Sequence, residues 1–142
     1  MFTPSREDAR RFYCDAWERH RSGGVLSPLE SMAVDIILMH PEYHAVLEDA
    51  GQSRADYTVE GGQTNPFLHL SLHMAVNEQL SIDQPPGIRA AWQRLCATRS
   101  EHDAAHVLME ALAETIWEVQ RLHKPYSSDA YLERIHHHLG RA

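Results

Sequence analysis

Helix-breaking residues divide this sequence into short segments, and the segments between the breaks have helical character. Ser27-Pro28-Leu29-Glu30 combines a capping serine, a proline suited to a first turn and a glutamate that can complete a capping box. Asp83-Gln84-Pro85-Pro86-Gly87 is a firm stop, because neither proline nor glycine suits a helix interior. Such signals predict helices over about 5–20, 28–39, 66–82, 88–98 and 101–122.

The remaining segments complete this pattern. Pro41 predicts a break, after which the helical pattern resumes in a new direction to about residue 49. A short last helix begins near Ser128 and fades into a frayed, solvated tail at 136–138, whereas 51–64 forms the longest loop. The best strand candidate, Tyr57-Thr58-Val59, is only three residues long.

These segments together predict an all-α protein. We expect one domain over 1–142, folded as a bundle of four to five main helices with a short C-terminal helix. Trp17, Trp92 and Trp117 are predicted to anchor its core.

Composition excludes several classes of function. A net charge of −7 disfavours binding to a phosphate backbone, so no nucleic-acid partner is expected. No apolar run approaches the ~18 residues of a membrane span, and the N-terminal residues have no apolar signal-peptide core. Two cysteines, Cys14 and Cys96, are too few for a disulfide scaffold. We therefore expect a cytoplasmic protein without a membrane partner.

Eleven histidines are unusual in 142 residues, and six of them form pairs four residues apart in separate predicted helices. The pairs are His40 with His44, His69 with His73, and His102 with His106. A spacing of four places both imidazoles of a pair on one helix face, as two ligands of one metal require.

Each pair also faces, or borders, the apolar side of its helix. Each residue advances by about 100° around a helix, so His69 and His73 lie on the same side of their predicted helix as Leu72, Val76 and Leu80. Ser71 and Glu78 lie on the opposite side. The 101–122 pair borders a stripe of Met109, Leu112, Ala113 and Ile116, and Glu110 extends that edge by one turn. All three pairs are therefore directed toward sides that are expected to be buried.

Converging buried imidazoles need many hydrogen-bond partners, and a divalent metal satisfies several of them at once. The sequence therefore predicts a metal site in the helical bundle, and zinc, iron, nickel and manganese are the candidate ions. The candidate ligands are His40, His44, His69, His73, His102, His106 and Glu110. An open coordination position would allow a metal-dependent hydrolase, transferase or oxidoreductase, and whether any reaction is catalysed stays open.

Two other interpretations stay open. In the first, the protein is a non-enzymatic interaction or oligomerisation module whose histidines form a buried hydrogen-bond network. In the second, a histidine acts as the base of a metal-independent enzyme, although no spacing of a nucleophile and a base supports this. A homodimer is compatible with the wide apolar arcs of the helices.

Four stretches of the sequence resemble a bacterial family known as domain of unknown function 1841. They are MFTPSREDARRFYCDAW, LSPLESMAVDIILMHPEYH, GGQTNPFLHLSLHMAVNEQLSIDQPPGIR and HVLMEALAETIWEVQR, which together extend over nearly the whole chain. The resemblance implies a small cytoplasmic bacterial protein and no particular activity. In architecture alone, the chain is also similar to DinB-type and hemerythrin-type bundles, which hold metals through histidines of several helices.

Overall fold

Helices account for every regular element of the residues that the structure, a computed structural model, describes, namely 6–48 and 65–140. No strand occurs in these two ranges, so the predicted all-α class is confirmed. The predicted loop and the three-residue strand candidate lie outside the described residues. The helices are α1 (Arg6–Arg21), α2 (Pro28–Leu38), a 3-10 turn (Pro41–Tyr43), α3 (His44–Glu48), α4 (Pro66–Ile82), α5 (Ile88–Cys96), α6 (Glu101–Leu122) and α7 (Ser128–Gly140).

The chain divides into two compact units, Met1–Met74 and Ala75–Ala142, and the division falls inside α4. That 1–142 behaves as one domain stays a prediction. In the described parts of the chain, every helix is too short or too polar to cross a lipid bilayer.

The first unit is built on a core contributed by α1, α2, α3 and the first part of α4. Its buried members are Ala9, Tyr13, Trp17, Ala33, Ile36, Ile37, Leu47, Phe67, Leu70 and Met74. Ser71 was predicted to lie opposite the buried side of α4, yet its hydroxyl is 3.0 Å from the hydroxyl of Tyr13. This part of α4 is therefore packed on more sides than its apolar stripe indicates.

The start of α2 forms the capping box that its sequence predicts. The hydroxyl of Ser27 accepts the N–H of Glu30, and the Glu30 carboxylate accepts the N–H of Ser27. The hydrogen bond from the Ser27 backbone, reinforced by Arg19, lowers the pKa of the Glu30 carboxyl. The charged carboxylate thus satisfies a backbone donor that the first helical turn leaves unpaired.

In the second unit, α5, α6 and α7 pack against one another. The buried residues of these three helices include Ile88, Leu95, Leu108, Leu112, Tyr131 and Ile135. Arg134 of α7 donates to the hydroxyl of Thr115 at 2.8 Å and is hydrogen-bonded to Glu118, which joins α7 to α6 through polar side chains as well.

Two expectations for this unit are wrong. The C-terminal segment does not fray at 136–138, because α7 continues through the three tail histidines to Gly140, supported by the buried Tyr131 and Ile135. Trp117 is 56% exposed and so is not a core anchor, although Trp17 is buried as predicted. Ala113 is exposed as well. Helical periodicity gives the direction of a side chain but not whether another helix covers it.

Tyr131→Phe is expected to destabilise the protein by about 1–3 kcal/mol. The hydroxyl of Tyr131 donates to Oε1 of Gln79 at 2.7 Å, and both side chains are buried. Burial also raises the pKa of Tyr131, so the hydroxyl keeps its donor proton at neutral pH. Without the hydroxyl, the Gln79 oxygen stays buried and loses this partner.

Urea denaturation measures this change, with Tyr126→Phe as the matched control because Tyr126 is 47% exposed. The control should change the free energy of unfolding by less than about 0.5 kcal/mol. Equal effects of the two substitutions would show that the Tyr131–Gln79 hydrogen bond does not carry the difference.

Candidate metal centre

Three histidines of the first unit lie together, although they come from two distant parts of the sequence. His40 lies just beyond the end of α2, and His69 and His73 lie one turn apart on α4. Each offers a ring nitrogen, and these nitrogens lie within 4.8 Å of one another. His40 is 2% exposed, His73 is 1% exposed and His69 is half-buried. The cluster is thus shielded from bulk water and can hold a metal ion.

The proton of the His40 ring is fixed by the backbone. Its Nδ1 is 2.7 Å from the carbonyl oxygen of Ile36, and a carbonyl can only accept, so Nδ1–H is the donor. In the neutral ring, Nε2 therefore carries the lone pair. Metal-binding histidines commonly have this arrangement, in which a carbonyl takes the N–H opposite the ligating nitrogen.

The separation between His40 and His69 suits a shared ion. Their Nε2 atoms are 3.1 Å apart. Two nitrogens on a tetrahedral zinc ion with bonds of about 2.0–2.1 Å lie about 3.3 Å apart. The same separation also allows an N–H···N hydrogen bond between neutral rings. A small movement of either side chain would therefore convert one arrangement into the other.

Tyr43 contacts two of the three histidines. Its ring stacks on His40 at 5.3 Å with an interplanar angle of 5°, and it meets His69 edge-on at 5.8 Å. Burial, together with the charge of Glu42, raises the pKa of the Tyr43 hydroxyl, so the phenol stays protonated at neutral pH. Sequence reasoning missed Tyr43, because its position depends on the 3-10 turn that follows His40.

The start and packing of α4 place its two histidines. The side-chain oxygen of Asn65 accepts the N–H groups of Phe67 and Leu68, which fixes where the helix begins. Leu70 and Met74 are buried in the core of the first unit. The predicted HxxxH geometry is realised here, with the two rings 4.9 Å apart.

His44 does not join this cluster. Its Nε2 is 3.0 Å from the carbonyl oxygen of Ile37, and its ring lies 4.4 Å from that of Trp17. The indole N–H of Trp17 in turn donates to Glu48. The structure thus places His44 between a helix end and an aromatic side chain, with one nitrogen held by the backbone.

His102 and His106 form a pair on α6 of the second unit. Their Nε2 atoms are 2.9 Å apart, the rings are nearly perpendicular, and both side chains are half-buried. The predicted pairing of these two side chains on one helix face is therefore realised. Ser100, which directly precedes α6, caps its first turn by accepting the N–H of Asp103.

Glu110 lies with two side chains that the sequence did not group with it. Its carboxylate and that of Glu114, one turn later on α6, lie within 4.8 Å of each other and of a ring nitrogen of His138 on α7. The spacing of four between the two glutamates was a usable signal. The contribution of His138 was not predictable, because the segment was expected to fray.

Comparison with known proteins places the chain in a family. No curated protein and no solved structure matches it significantly. A family model described as domain of unknown function, DUF1841, matches residues 5–137, which is nearly the whole chain. The helices and the histidine cluster described above all lie within the matched residues, apart from the last turn of α7. The chain therefore belongs to the DUF1841 family.

Proposed function

We propose that this protein binds a divalent transition metal through His40, His69 and His73. The observation that carries the proposal is the convergence of three largely buried imidazoles, one of which has its proton already fixed on the opposite nitrogen. Burying three imidazoles together is costly unless each ring nitrogen has a partner, and one ion provides a partner for all three.

The donor set limits which ions fit. Three neutral nitrogens favour zinc, nickel and iron, whereas manganese prefers oxygen ligands. A set of three histidines also leaves a position for a fourth ligand, as in catalytic zinc sites. At that position a metal can polarise a substrate or lower the pKa of a bound water.

The sequence also predicts His106 as a ligand, and the number of histidine ligands decides whether a coordination position stays open. A fourth histidine would close a tetrahedral site and favour a structural role, whereas three would leave it open. Counting nitrogen ligands by X-ray absorption of the loaded protein, with His106→Ala for comparison, separates the two outcomes. His44 and His102 are weaker candidates, because the Nε2 of His44 is held by the carbonyl oxygen of Ile37 and His102 lies in the first turn of α6.

A buried histidine network without metal is the second candidate function. It is favoured by the 3.1 Å contact between His40 and His69, which suits a hydrogen bond between neutral rings. In this case the cluster would hold the first unit together as part of an interaction module, for example a homodimer. This candidate predicts that chelators leave stability unchanged.

Elemental analysis of the purified protein distinguishes the two. The protein should carry no tag and should not meet a nickel column, because His136 and His137 are exposed and can take up column metal. We expect about one equivalent of a single transition metal to survive dialysis, since a buried site exchanges slowly. A folded protein that contains no metal and takes up none from zinc, iron or manganese would overturn the metal proposal.

A further inference from the structure

We propose a second divalent-cation site in the second unit, formed by Glu110, Glu114 and His138. It is independent of the histidine cluster in the first unit and uses none of its residues. Its ligand atoms are two carboxylate oxygens from α6 and one imidazole nitrogen from α7, all within 4.8 Å of one another.

The three side chains converge without satisfying one another. In the described part of the second unit, no hydrogen bond or ion pair links Glu110, Glu114 and His138. Metal–ligand bonds of about 2.0–2.5 Å place ligand atoms on opposite sides of one ion about 4–5 Å apart. The gap between these groups is therefore of a size that one ion can bridge with little movement.

Charge also favours a cation here. Two carboxylates one turn apart on a helix repel each other, and a bound cation removes that cost. Glu133 lines the same open cavity of about 350 Å³, but it is not one of the three residues whose ligand atoms converge. Arg134 lies 3.5 Å from Oε2 of Glu114, but it is also bonded to Glu118 and Thr115, so its charge is shared.

The imidazole distinguishes this group from an ordinary acidic surface. A nitrogen ligand beside two oxygens suits manganese, iron and zinc better than magnesium or calcium. Glu110 and Glu114 are exposed and His138 is half-buried, so water would complete the coordination. Such an ion exchanges readily, in contrast to one held by the buried cluster.

Titration of the full chain with Mn²⁺ tests the proposal, with free Mn²⁺ counted by electron paramagnetic resonance. The wild type should bind one Mn²⁺ that dialysis removes. Glu110→Gln and His138→Asn should each weaken this binding by about 10–100-fold. Glu133→Gln, with the same charge change in the same cavity, and His136→Asn, another exposed imidazole on α7, should leave it within about twofold.

Each other outcome would overturn the proposal. Unchanged binding in Glu110→Gln or His138→Asn would remove that side chain from the site. Equal weakening by Glu133→Gln would indicate attraction by net charge alone, and a wild type that binds no exchangeable Mn²⁺ would exclude the site. The metal that survives dialysis reports on the first unit, so failure of either proposal is recognised separately.

Discussion

The double variant His69→Ala/His73→Ala should lose the stoichiometric metal, from about one equivalent to less than about a tenth. Of the three converging nitrogens in the first unit, only that of His40 would remain. A single imidazole does not hold a divalent ion through dialysis, because retention depends on several ligands acting together. Elemental analysis after dialysis gives the result directly.

Two further variants serve as controls for this prediction. His136→Ala/His137→Ala also removes two histidines, but from exposed positions on α7, and it should retain the metal. His69→Gln changes only the half-buried member of the cluster and should lower the retained metal even if the double variant folds poorly. Metal content that is unchanged in a folded double variant would contradict the ligand assignment.

Leu70→Ala should destabilise the protein by about 2–5 kcal/mol. Leu70 is completely buried in the core of the first unit, between the two histidines of α4 in sequence. Truncation to alanine removes apolar contacts and leaves a cavity, and close-packed surroundings fill such a cavity only in part. The free energy of unfolding from urea denaturation, measured on metal-free protein, tests this without interference from the site.

Leu68→Ala is the matched control on the same helix. Leu68 is 57% exposed, so the same chemical change should cost less than about 0.5 kcal/mol. Similar losses for the two leucines would mean that the cost arises from helix propensity or from the denatured state, and not from the core that supports His69 and His73.

Helices that begin at a capping residue were predictable from the sequence. The bounds of α4 and α6 agree with the predicted ranges, because Asn65 and Ser100 accept backbone N–H groups at the helix starts. The capping box at Ser27 is formed as its sequence indicates. In each case the decisive hydrogen bonds join residues two or three positions apart, so no knowledge of the tertiary structure was needed.

The membership of the histidine cluster was only partly predictable. A spacing of four places two side chains on one face only if the helix is continuous, and Pro41 interrupts it between His40 and His44. The pair on α4 has no such interruption and converges as expected. Similarly, the grouping of Glu110 with His138 depends on α7, whose last turns are set by tertiary packing of Tyr131 and Ile135.

The hydrogen bonds at the end of α2 also help to maintain the geometry of the candidate metal site. The carbonyls of Ile36 and Ile37 accept the backbone N–H groups of Met39 and His40, and they also accept the imidazole N–H groups of His40 and His44. Proline at 41 has no N–H to donate, so no backbone donor from that position competes for the Ile37 carbonyl. The helix ending and the orientation of a candidate ligand therefore depend on the same backbone carbonyls, so a change in where α2 ends would also change the partner that orients the His40 ring.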